Sequence, residues 1–563
     1  MSTYLDVPHA ELDRLLQSTA PAPNAVGREA LVSSEGCVVE LDQDSAARLM
    51  WFGEDLLRVK MPAGTRVVYP KPTIRGLRDP KAAIHYALDH PEDMEPLDAL
   101  LKPGMKVTIA MDDISLPLPP MRRPDVRELV LAIVLEKLKS KGVEDFHIIV
   151  ATSFHRRMTP QEIRHAVGPR IFRELFPGRL YNHDGEAPGG MVDLGLTEHG
   201  EHVRLNRRAA ESDLLIYVNI NLVPMDGGNK SVGVGLCDYA ALQAHHTPQT
   251  ILKCDSYFDH TKSEMGRSCD RIGSIVNQRL KVFHIETVLN NAMFDPRMAF
   301  FVKNEDRHSV YDRALFNATR LGLGMLPRPL KRKILFAIPA FYEMIAVHAG
   351  ATLPVHAKTL AYCYAQYCVP LEGQSDVVVY GIPFVSPYNV HSILNPLLVQ
   401  VMALGYFHNM YRGMPVVKKN GALIITHPLY NDFDPRHHPS YIEFFHRILP
   451  ETRDSVELQR KYEAEFAHNP DYIRMYRTGN AYHGVHPFYM WYWGENGRAH
   501  VGKVIVVGAE SAQAARTMGW ETARTMDEAL ALAQSHVGHK PSITMMHFAP
   551  ILMADVAGRS ETV

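Results

Sequence analysis

Short apolar runs alternate with stretches of helical spacing along this chain, and that alternation most narrows its fold. KVTIAMDD (106–113), DFHIIVAT (145–152) and DLLIYVNI (213–220) each read as a strand buried on both faces. Residues 123–141, between the first two, have helical spacing. Thr159, Pro160 and Glu162 form a helix start, with an N-cap, a proline at N1 and an acid at N3. A second series follows as DVVVYGI (376–382), ALIITHP (422–428) and KVIVVGA (503–509), backed by the helical TMDEALALAQSHVG (525–538). Strands alternating with helices imply parallel sheets covered on both faces. The expected fold is therefore α/β, with two α/β domains, parallel-type sheets and a helical insertion. The expected blocks are an N-terminal α/β domain over 1–289, the insertion over 290–372 and a C-terminal α/β domain over 373–540. A tail, 541–563, is expected to return toward the N-terminal domain.

Charge and cysteine usage exclude several classes. With 60 Lys+Arg against 62 Asp+Glu, the chain lacks the basic footprint of a nucleic-acid binder. Six scattered cysteines (Cys37, Cys237, Cys254, Cys269, Cys363 and Cys368) form no CxxC and suit a reducing compartment. The start, MSTYLDVPHAELDRLL, carries early acids and no apolar core, unlike a secretory signal. The most lipophilic stretch, 334–355, is interrupted by Pro339, Glu343 and His348, unlike a spanning helix. A soluble cytoplasmic protein with neither nucleic-acid nor membrane partners is expected, a homo-oligomer being left open.

In open α/β sheets ligands bind beyond the carboxyl ends of the strands. After the first strand come Asp112 and Asp113, after the second His155, and after the third Gly227, Gly228, Lys230, Ser231, His245 and His246. Each has a plainer reading alone. Paired acids are often solvated turn residues, His155 could cap a helix, and a His-His pair is more often packing. GGNKS lacks the GxxxxGK[ST] spacing of a phosphate loop. Their convergence on one rim carries the information, in a chain with 29 histidines.

In this order the residues resemble the lactate racemase family, which carries a nickel-pincer nucleotide. The matching stretches are AMDDISLPLPP, IIVATSFHRRMTPQEI, YNHDGEAPGGMVDLG, ESDLLIYVNI and GGNKSVGVG running to HH. The resemblance implies an isomerase, a racemase or epimerase of a 2-hydroxy acid, working by proton-coupled hydride transfer in a cleft between two domains. The N-terminal domain would hold the cofactor, which cofactor-synthesis enzymes must supply. Lys230 falls where the family's lysine joins the cofactor covalently, and His246 falls at its histidine ligand to nickel. His155 matches a histidine acting as general acid/base. Asp113, Ser231 and Gly228 match the cofactor's surroundings.

Departures accompany the match. Leu116 stands where the family has an arginine suited to gripping a carboxylate, so a 2-hydroxy or polyol acid other than lactate is expected. No histidine lies between His202 and Lys230, where the family places its second base. Candidates to replace it are His391, then His427, then Asp226. With one base, the alternatives are a one-way oxidoreductase using the same cofactor or a non-catalytic homologue that only binds it.

Overall fold

The computed structural model of the protein describes residues 8–18, 22–547 and 551–558. Its first sheet has six strands, in the order Met344–Gly350, Val282–Leu289, Leu214–Asn221, Lys106–Asp112, Asp145–Ala151 and Leu180–Asn182. All neighbours are parallel except the first pair. Leu214–Asn221 and Val282–Leu289 are buried at every position; the first is apolar apart from Asn219 and Asn221, whereas the second also buries His284, Glu286 and Thr287. The helix Pro160–Leu175 starts at Thr159 with a full capping box, as its sequence predicts.

The second sheet has seven strands, in the order Val38–Glu40, Arg66–Val68, Ile543–Met546, Ser375–Gly381, Val417–Thr426, Lys503–Val507 and Glu521–Ala523. Only its first pair is antiparallel. The helix Met526–Val537 buries Ala529 and Ala533 among that sheet's apolar residues. One continuous apolar cluster, including Met111 and Ile216 of the first sheet and Val378 and Ile425 of the second, joins the two.

The α/β class stands, but sheet membership departs from the expected blocks. Val38–Glu40 and Arg66–Val68 precede the first sheet yet belong to the second. Met344–Gly350, inside the stretch read as a helical insertion, closes an edge of the first sheet, because a short apolar run has no period that separates strand from helix. The tail contributes Ile543–Met546 to the second sheet, where it pairs with Arg66–Val68 from the expected 1–289 block and with Ser375–Gly381, and Met553–Ala557 to a small separate sheet with Cys368–Glu372 and Tyr411–Gly413. Its residues 548–550 and 559–563 lie outside the described ones.

From Lys106–Asp112 the first sheet grows one way to Asp145–Ala151 and the other way to Leu214–Asn221. Strand order reverses there, and at such a switch point the loops diverge and open a crevice.

Candidate functional site

Three adjacent parallel strands end at this crevice. Asp112 and Asp113 come from the first, Ser153 and His155 from the second, and Asn219 and Asp226 from the third. The helix Gly228–Gly235 adds Lys230 and Ser231, and His246 caps the helix Tyr239–His245. All nine line one cavity of about 200 Å³, whose far wall includes Tyr388, Tyr406 and Trp493 from the second half of the chain.

His155 Nδ1 lies 2.8 Å from Asp113 Oδ2, so its Nε2 is the nitrogen left for chemistry. Burial opposes the Asp113 charge, but His155 and the Ser115 hydroxyl and amide outweigh it and hold the pKa below the ordinary value. Asp112 accepts from the Tyr217 hydroxyl at 3.3 Å, but among the described residues no histidine or cation is bonded to its carboxylate. Burial pushes it up to about 8 against one backbone bond from Ile220, so it is held protonated at neutral pH. The Asn219 amide lies 2.9 Å from the Ser231 hydroxyl and 3.0 Å from Asp112.

Lys230 is set by a tight turn. Gly227 and Gly228 have φ of 90° and 61°, in the left-handed region. A Cβ on Gly228 would sit 2.8 Å from the His356 ring. The Gly228 amide donates to Glu286 at 2.7 Å, and Glu286 also accepts from Thr359 at 2.6 Å and contacts His356 Nδ1 at 3.1 Å. Burial opposes that carboxylate, yet His356, His284 and Thr359 bring it down to about 2. Lys230 Nζ donates to the Met225 carbonyl at 3.1 Å. Asp226 lines the cavity beside it, pushed up to about 6 by burial although Lys230 pulls the other way.

His246 Nδ1 is 2.7 Å from His245 Nδ1, leaving Nε2 as its available nitrogen. Burial first, then His245 and Lys230, lower its pKa well below the ordinary value, so the ring is neutral. Trp493 stacks on it at 5.5 Å.

Asp113, His155, Lys230, Ser231 and His246 are thus brought together. Gly228 is not in the cavity wall; it lies in the turn behind, with Lys230, Gly227 and His356. His391, expected as the second base, does not reach the cavity. Asn389 closes the turn from Ser386 at 2.6 Å, which sends Tyr388 inward. His391, at φ 61° and with 48% of its side chain exposed, faces Glu162 instead, 4.0 Å away. His427 also misses it: the ring is buried, pushed down to about 3 by desolvation and then by Arg328 and Arg332, and accepts from the Leu429 amide. Leu116 lines the cavity, and among the described residues no arginine does.

Sequence reading missed the contribution of HPFYMWYW. His486, Tyr489 and Trp493 fall at i, i+3 and i+7, one face of a helix. That face sets His486 5.5 Å from the His155 ring and Tyr489 5.3 Å from His246. The spacing was available as a signal. Tyr388 and Tyr406, hydroxyl to hydroxyl at 2.6 Å, gave none.

Residues 52–256 match the lactate racemase N-terminal domain family. Over that stretch the chain is similar to the lactate racemase family. The matched stretch contains Asp113, His155, Lys230, Ser231 and His246, the residues that meet in the cavity. Among solved structures, the lactate racemase apoprotein from Thermoanaerobacterium thermosaccharolyticum is similar, with a TM-score of 0.58 and 16% identity over 92% of this chain and 100% of that one. At that identity the likeness shows the fold. A Thermotoga maritima protein is also similar, with a TM-score of 0.48 and 14% identity over 85% of this chain and 98% of that one. No curated protein matches the chain in sequence.

Proposed function

We propose that the chain is a racemase or epimerase of a 2-hydroxy acid, dependent on a nickel-pincer nucleotide joined to Lys230. The observation that carries this reading is the meeting of Lys230, His246 and the Asp113–His155 pair in one cavity. These residues fit the cofactor. Lys230 Nζ, bonded to a single carbonyl, faces the space, and His246 offers a neutral ring with Nε2 unengaged by its neighbour. Among the described residues no three His, Cys, Asp or Glu side chains form an all-protein metal cage. A metal here would therefore take His246 as its protein ligand and its other donors from the cofactor. When bound, the cofactor supplies the hydride-accepting centre.

His155, its Nδ1 held by Asp113, takes the proton from the substrate's 2-hydroxyl as C2 is oxidised and returns it as C2 is reduced. Asp226 is the second proton-handling group. It lines the same cavity, unlike His391 and His427, and burial has raised it toward neutrality. Leu116 and the absence of arginine from the described lining leave the substrate carboxylate without a bidentate grip. A hydroxy or polyol acid other than lactate accordingly suits the site.

The test is interconversion of 2-hydroxy acid enantiomers by cofactor-loaded protein in D2O. Equal enantiomers, with hydrogen retained at C2, are expected. Deuterium at C2 would sink the hydride route, and accumulation of keto acid without the other enantiomer would mean a one-way oxidoreductase.

A further inference from the structure

The helices Val310–Met325 and Arg328–Ala337 turn an apolar face outward. Among the described residues eleven large hydrophobic side chains are exposed, and seven of them belong to this hairpin: Val310, Tyr311, Leu321, Met325, Leu330, Ile334 and Ile338. Val310, Leu321 and Met325 are 78%, 65% and 72% exposed. A surface helix ordinarily buries one apolar stripe and shows water a polar one. Here the first helix does bury Phe316 and the second Leu335 and Phe336, yet each carries a second apolar stripe on the outside. Residues 310, 314, 318, 321 and 325 follow i, i+4 and i+3 steps along one outer face, and residues 330, 334 and 338 do the same.

Cations border both stripes. Arg320 precedes Leu321 and Lys333 precedes Ile334, with Arg313 one turn before Asn317 on the same border; all three are exposed. The hairpin's single acid, Asp312, is buried and bonded to Ser309 and Lys303. Lys331 and Arg332 are held by Asp55 and Glu54, which fixes the second helix with its stripe outward. Arg313, Arg320 and Lys333 have no carboxylate partner among the described residues.

We propose that this hairpin docks the protein on an anionic lipid surface, its apolar stripes sinking to the headgroup boundary while the bordering cations pair with lipid phosphates. Apolar side chains beside unpaired cations match the two components of interfacial binding. A second copy of the chain is the poorer occupant. Two-fold contact through this face would gather three cations from each copy with no exposed hairpin acid to pair them. No described helix is long and apolar enough to cross a membrane, so the contact is peripheral.

The test is sedimentation of the full chain with vesicles of phosphatidylcholine alone or with about one-third phosphatidylglycerol. Two double variants accompany it, Leu321→Glu with Ile334→Glu and Arg320→Glu with Lys333→Glu. These positions are exposed, so unchanged circular dichroism and melting are expected for both. The wild type should bind anionic vesicles at least about tenfold better than neutral ones, and both variants should lose that preference. Failure of the wild type to sediment with anionic vesicles would overturn the proposal. So would a wild-type dimer, measured by light scattering, that both variants convert to monomer.

Discussion

Asp226→Asn separates function from stability in opposite directions. In the folded chain the Asp226 carboxyl is enclosed, accepts from the Val223 amide at 3.2 Å, and titrates at about 6 against an ordinary value of 3.8. Burial is the main cause, and Lys230 offsets part of it. A gap of about two units, at 1.36 kcal/mol each, corresponds to roughly 3 kcal/mol. Because the folded pKa is the higher one, the folded chain keeps its proton between about pH 4 and 6 while the unfolded chain has lost it. Unfolding free energy therefore falls as pH rises through that window and stays lowered above it. Asparagine removes this penalty. At pH 7.5 the variant should be more stable by up to about 3 kcal/mol, and near pH 4 the two proteins should converge. Cofactor-loaded Asp226→Asn should at the same time lose on the order of 100-fold in turnover, as removal of a proton-transfer group does. Thermal melts at the two pH values, run beside the enantiomer assay, read both effects. A variant that melts no higher than wild type at pH 7.5, or that turns over normally, would refute the reasoning.

Other outcomes follow from the same geometry. Asp113→Asn should lower turnover about 10–100-fold with little change in KM, because it frees the His155 ring without removing it; saturation kinetics check this. Glu286→Gln should loosen the Gly227–Gly228 turn. The Glu286 carboxylate sits at about 2 against 4.5, so its stabilisation is present above pH 4.5 and fades toward pH 2. Hydrogen exchange of peptides spanning 221–235 should accordingly speed up in the variant at pH 7 and differ less at low pH. His391→Ala should leave turnover within about twofold of wild type, since an exposed side chain outside the cavity contributes little; a large loss would restore it as a base.

The strand ends were legible because largely apolar runs precede Asp113, His155 and Lys230, whereas the fully buried Val282–Leu289, carrying His284 and Glu286, wrote no such run. What lay beyond was set by contacts distant in sequence. Arg66 pairs with Thr544, a choice that no local pattern records. Tyr388 and His391 share one loop, and only the Asn389 turn decides which enters the cavity. The pKa of Asp226 depends on its enclosure, which residue type does not disclose. The outward stripe on 310–338 has the same period as an inward one, so its spacing could not reveal the side facing water.

The covalent anchor is the central claim, and intact-mass and metal analysis of protein produced together with a working cofactor-synthesis system tests it most directly. Wild type should carry the cofactor's added mass and about one nickel per chain. Lys230→Ala should lack the adduct, and His246→Ala should keep the adduct but lose nickel. Wild-type chain of unmodified mass and without nickel, from cells that load a lactate racemase with the cofactor, would contradict it.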